Sequence, residues 1–359
     1  MIIFIIVLMS AMMLNTCLTT GNGRKTIAET IGIKKENDKE EDFLSRRSTT
    51  TINGIFVLLI FFSHSTQYLT LLDNPFDSLY RHFQAFHNQW VVTTFLVFSG
   101  YGVMMKIIQE GDLYLKKYPR NRLLKTLANY DIAVIVFICV NILLGIQYSG
   151  SVIAGSFIGI TGIGNSNWYI FTILVMYLVS YFVAIFFKNN YKLIAGIVTA
   201  CSVSYIAVAQ LTGLPSRFVS TVITYALGMW VAIYKGEIEK VLKSRPFVAL
   251  LVITIPIILT YKLRGNDYIM NINSCFFVLL IVWFMSHFEI RSNILYFLGV
   301  HAFSIYILQR LPMLVISRYF TINGAKNYVF VMVCLLTTVC LSVVFDKLFE
   351  RVDQLIIKS

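Results

Sequence analysis

The chain has 359 residues, of which 57% are hydrophobic and 13% charged, and its mean hydropathy is +0.73. That composition excludes a soluble globular enzyme and leaves no room for a separate soluble catalytic domain beside the apolar segments. Thirty Lys and Arg against 18 Asp and Glu make the net charge +12, which basic loops flanking membrane spans account for without nucleic-acid binding.

A hydrocarbon core of about 30 Å takes about 20 apolar residues per helix. The expected fold is therefore all-α and polytopic, with ten transmembrane helices near 52–72, 90–109, 127–148, 168–187, 193–211, 217–234, 247–262, 271–288, 294–316 and 328–346. Residues 1–20 form a further apolar stretch. They lack the basic leader of a signal peptide, and Leu14-Asn15-Thr16-Cys17 is a poor lipoprotein cleavage site, so an extra membrane helix or anchor is expected. Residues 21–50 are polar, of mixed charge, and read as a linker. The expected division is residues 1–50 as apolar segment and linker, 51–346 as the transmembrane domain and 347–359 as a cytoplasmic tail. With the N-terminal side of the first core helix in the cytoplasm, 23 of the 30 basic residues fall inside and 7 outside, and the C-terminus is also cytoplasmic.

In the first core helix, His64 stands in an otherwise apolar run, eleven positions after Asn53. Eleven steps of about 100° make about three turns, so the two share one face about 16 Å apart. Ionisable groups are unfavourable inside a membrane and mark a pathway or reactive site when they occur. The second span carries Phe95-Leu-Val-Phe-Ser-Gly-Tyr-Gly102. Gly100 and Gly102 allow close backbone approach, and Ser99 and Tyr101 can hydrogen-bond across helices. Ser99 is expected near mid-membrane, level with His64.

The loop that follows is the most basic of the chain, with Lys106, Lys116, Lys117, Arg120, Arg122 and Lys125. Sidedness alone accounts for some of this charge. Arg122 and Lys125 also stand three apart at a helix start, a spacing that suits a clamp for the phosphates of a cytosolic donor. Residues 149–167 are small, flexible and mildly polar, which fits either a surface loop or the lining of an acceptor cleft. In the ninth span, His301, Ser304 and Gln309 are expected to face the bundle interior, and Arg310 to reach the outer surface. His301 reads as a hydrogen-bonded core residue, with a substrate role as the alternative. His82 and His87 fall in an outer loop, where His87 is a candidate for the acceptor site, and His287 ends a helix. Neither the six cysteines nor the five histidines show a metal-ligand spacing, so no metal is expected.

Taken together these pieces resemble the acyltransferase family 3 membrane proteins, which O-acylate bacterial surface polysaccharides and lipid-linked sugars. The resemblance runs from about Thr51 to Phe345. It is carried by Asn53-Gly54…His64, Phe-x-x-x-Ser-Gly-Tyr in the second span, Arg122-Leu-Leu-Lys125, Asn167-Trp168-Tyr169, and Leu298-Gly…Ser304-Ile-Tyr-Ile-Leu. The chain departs from the family pattern at Asn53, where the family has Arg, at Lys125 for a second Arg, and at Gln309 for His. The positive charge missing at 53 would then come from Arg46, Arg47 or the basic loop.

The resemblance implies transfer of an acyl group, most often acetyl, from cytosolic acyl-CoA to a sugar hydroxyl at the outer face of the bacterial cytoplasmic membrane. His64 would be the base, and Asn53, Arg120, Arg122 and Lys125 would hold the donor. Ser99 or Tyr101 would steady the oxyanion, with His87 and His301 near the acceptor. The competing reading is a transporter or flippase of a sugar-linked lipid. Transporters often consist of two related halves, and no repeat relates 52–190 to 193–346.

Overall fold

A computed structural model describes residues 2–12, 16–20, 23–26, 42–320, 322, 324 and 326–358. Among them, nine helices are long and apolar enough to cross a membrane, and a tenth span is a helix pair bent by 63°. The chain is an all-α polytopic membrane protein.

The helices begin where the sequence supplies caps. The first core helix, α2 (Arg46–Ser65), follows α1 (Ile2–Met12) and two strands, β1 (Thr16–Thr20) and β2 (Gly23–Thr26). Its start is capped by Ser45, whose hydroxyl accepts from Ser48 N at 3.1 Å. Next comes α3 (Pro75–His87), with Asn74 accepting from Asp77 N at 2.9 Å and proline in the first turn. This amphipathic helix occupies what reads in the sequence as an outer loop. It is tied down by Tyr80, whose phenol donates to Phe62 O at 2.9 Å.

The chain then continues through α4 (Thr93–Glu110), α5 (Asp112–Tyr118), a π-helical turn over Pro119–Leu124, and α6 (Lys125–Leu143). Short α7 (Gly150–Phe157) precedes α8 (Trp168–Phe187) and α9 (Tyr191–Leu211). After them come α10 (Ile223–Ile233), α11 (Lys235–Ser244), α12 (Pro246–Thr260) and α13 (Asp267–His287). Strand β3 (Phe288–Ile290) leads to α14 (Asn293–Val300), capped by Ser292, then α15 (Ala302–Leu308), α16 (Arg310–Tyr319) and the 33-residue α17 (Lys326–Lys358).

Two ends of the bundle are distinguished by their ties. At the basic end, Arg47 donates to Asn293 Oδ1, Lys188 pairs with Asp112, Lys125 with Asp353 and Lys235 with Asp42. At the opposite end, Asn327 donates to Thr70 O and Arg264 to Phe86 O, while Trp90 donates to Asn273.

The apolar start of the chain forms an 11-residue helix, about 16 Å long and half the hydrocarbon thickness. It packs against α3 at the opposite end, whereas β1 pairs with β3 at the basic end. Of the expected linker at 21–50, residues 21, 22 and 27–41 lie outside the described residues, whereas 23–26 form β2 and 46–50 begin α2. Residues 347–358 continue α17, whose Asp353 holds Lys125 at 3.2 Å.

Candidate active site

Two cavities open into the bundle and end on a common wall of Ile60, Val92 and Tyr306. The one toward the basic end has a volume of about 330 Å3 and is lined by Thr49, Asn53, Ser99, Arg122, Thr126 and Tyr177, among others. The one toward the opposite end has about 570 Å3 and is lined by His64, Gln84, Asn165, Ser166, Arg217 and Arg310, among others. Helix α2 runs along both. Thr49, Asn53, Ile60 and His64 fall on one face, as the helical period requires, with Asn53 below the wall and His64 above it.

That arrangement depends on two close crossings. A β-carbon at Gly54 would lie 1.9 Å from the Leu295 carbonyl oxygen, and one at Gly299 1.8 Å from that of Thr50, so α2 and α14 touch backbone to backbone. Gly100 and Gly228 do the same for α4 and α10, against Tyr225 O at 1.9 Å and Val97 O at 2.0 Å. Gly102 instead faces the Arg122 guanidinium at 3.8 Å.

His64 Nδ1 lies 3.4 Å from Ser166 Oγ, and its ring is 6.3 Å from that of Tyr306. Ser166 belongs to the small-residue segment before α8, which is ordered by three amides. Asn165 donates to Tyr130 OH at 2.8 Å, Asn167 to Gly159 O at 2.8 Å, and Asn141 to Ile163 O at 2.8 Å. The segment is therefore a cavity wall and not a plain surface loop. Within Asn167-Trp168-Tyr169, the first two residues line the His64 cavity and the third lines the other.

Below the wall, Arg122 donates to Tyr114 OH at 3.1 Å and lies over the Tyr177 ring at 5.8 Å. Its expected companion Lys125 faces away and pairs with Asp353. The intervening π-helical turn widens the local period, so residues three apart no longer share a face. Arg120 is exposed. Arg47 is engaged by Asn293 and lies over the Tyr296 ring at 5.1 Å, so the cation beside Asn53 is Arg122. The side-chain oxygen of Asn53 is buried without a hydrogen-bond partner among the described residues.

The remaining candidates are dispersed. Ser99 accepts from Tyr177 OH at 3.4 Å in the lower cavity. His64 lines the other cavity, so the structure does not bring the two together. Tyr101 lines neither cavity and sits beside Lys235. Burial works against the Lys235 charge, but Asp42 and Tyr101 outweigh it and hold the amine above its ordinary value. His87 is buried edge-on against Phe83 at 4.9 Å, and its neighbours Asn88 and Gln89 line the cavity instead. His301 marks the bend between α14 and α15, where it and Ser304 both hydrogen-bond to Asp346 of α17. Gln309 is buried and donates to Tyr306 O at 3.1 Å. Arg310, expected at the outer surface, lines the His64 cavity.

Sequence reading missed Tyr306 and Arg217 altogether. Tyr306 did lie in the quoted Ser304-Ile-Tyr run, but a tyrosine in an apolar helix carries no signal of its own. Its hydroxyl is buried without a partner among the described residues, on the wall that both cavities share.

Neither curated proteins nor solved structures give a match to this chain. The acyltransferase domain family does, over residues 51–347, a stretch that contains every residue named on the cavity walls except Thr49. The chain is a multi-pass membrane acyltransferase and belongs to acyltransferase family 3.

Proposed function

We propose that the protein moves an acyl group, acetyl in the simplest case, from cytosolic acyl-CoA to a hydroxyl of a surface polysaccharide or lipid-linked sugar. The observation that carries this reading is the pair of cavities that meet at Ile60, Val92 and Tyr306, with a guanidinium in one and an imidazole in the other. The basic end is cytoplasmic in this reading, in keeping with the excess of Lys and Arg in its loops. A volume of about 330 Å3 suits the narrow arm and thioester of the donor. The nucleotide stays at the basic surface, near the exposed Lys116, Lys117 and Arg120, while Arg122 and Asn53 engage the arm.

The acceptor enters from the opposite side. His64 takes the proton of its hydroxyl as the oxygen attacks the thioester carbonyl at the shared wall. Ser166 can accept from Nδ1–H, the tautomer that leaves Nε2 as the base. Negative charge on the carbonyl oxygen is met by a hydroxyl donor of the wall. Collapse then breaks the C–S bond, and the leaving thiolate takes the proton from the imidazolium, so the products are an ester and free CoA.

The test is His64→Ala. The variant is expected to insert at the wild-type level while ester-linked acyl groups on the envelope polysaccharide fall by about 10²-fold or more. Unchanged acylation would remove His64 from the chemistry.

A further inference from the structure

The His64 cavity has two arginines on its wall, Arg217 and Arg310, and no Asp or Glu. Arg310 is largely buried. Its guanidinium hydrogen-bonds to the Tyr68 side chain, but its Nε has no hydrogen-bond partner among the described residues and no carboxylate lines the cavity beside it. It stands one helical turn beyond Tyr306 and close enough to act on His64. Two neighbouring guanidinium groups repel each other, and a largely buried one whose charge no carboxylate balances is unfavourable. Both penalties vanish when an anion binds between them by paired N–H donors. The rest of the wall is what a sugar needs: the amides of Gln67, Gln84 and Gln89 for hydroxyl groups, and Trp168 for an apolar ring face.

We propose that this cavity takes an anionic acceptor, a sugar bearing a carboxylate or phosphate that Arg217 and Arg310 hold while a neighbouring hydroxyl faces His64. The proposal rests on reading this cavity as the acceptor side. It adds that acceptor choice is made by charge, in a place where a neutral glycan would leave the largely buried Arg310 charge unbalanced. The experiment uses the full chain in phosphatidylcholine nanodiscs and three soluble probes: methyl β-glucuronide, glucose 1-phosphate and methyl β-glucoside. Binding is read by saturation-transfer NMR.

The two anions are expected to bind at least about tenfold more tightly than the neutral glucoside. Arg310→Gln and Arg217→Gln should each erase most of that difference, and Arg310→Lys should retain part of it. Equal binding of the three probes overturns the proposal, as does an anion preference that survives both Gln variants. A further arm adds phosphatidylglycerol to the nanodiscs. Displacement of glucose 1-phosphate by that lipid would assign the arginines to a headgroup and also overturn it. If Arg310→Gln does not fold, the wild-type comparison and Arg217→Gln decide. Probe binding needs no acyl donor, so its outcome is separate from that of the His64→Ala acylation test: loss of acylation without anion preference would refute this proposal alone.

Discussion

Tyr306 has a ring fixed by its neighbours and a hydroxyl left over. The ring packs edge-on against Tyr169 at 5.4 Å and near His64 at 6.3 Å, so replacing Tyr by Phe keeps the packing and removes a single donor. A hydroxyl buried without a partner at the point where two cavities meet is placed to bind charge that appears only during reaction. Tyr306→Phe is therefore expected to lower kcat by about 10²-fold with little change in KM for acetyl-CoA, measured on purified protein. An undiminished kcat would exclude the phenol as donor. The Asn53–His64 face was legible because helical periodicity alone places residues eleven apart in line. Tyr306 was not, because its distinction lies in what surrounds the hydroxyl.

Helix pairs set the depth of these groups. The reciprocal glycines at 54 and 299 let α2 and α14 meet through their backbones, which holds both cavities on the α2 face. A side chain at 54 must push the helices apart. Gly54→Val is expected to reduce stability by about 1–3 kcal/mol and lower the melting temperature in detergent. Gly102→Ala serves as contrast, since its β-carbon would meet nothing nearer than the Arg122 guanidinium at 3.8 Å. A melting temperature unaltered by Gly54→Val would mean that the crossing does not need the close approach. The small residues announced such contacts in the sequence but not their partners. The π-helical turn before α6 gave no sequence signal, and it alone separates Arg122 from Lys125.

At the scale of the whole molecule, charge and hydropathy arrange the nine membrane-length helices and the bent pair found among the described residues so that basic loops gather at one end. Assignment of that end to the cytoplasm is open to direct measurement with engineered cysteines at exposed positions. His82→Cys, on α3 at the His64 end, is expected to react with a membrane-impermeant maleimide in intact cells. Gln354→Cys, in the last turns of α17, should react only after permeabilisation. The reverse pattern would invert the protein and put His64 on the donor side. The bent α14–α15 pair belongs to this scale too. His301 and Ser304 fasten its break to Asp346 of α17, so the irregular backbone beside the lower cavity is held by a helix more than 40 residues away in sequence.

The all-α polytopic class, the common face of Asn53 and His64 on α2 and the family itself were all decided by the sequence, because each depends on composition, on short motifs or on a period of 3.6 residues within one segment. The tertiary structure alone decided which cation accompanies Asn53, that Lys125 turns to Asp353, that Arg217 and Arg310 share a cavity with His64, and that Tyr306 closes the wall between two chambers. Those are relations between side chains on different helices. Helix crossings fix them, and a hydrophobic pattern that says only which face turns inward is compatible with many crossings.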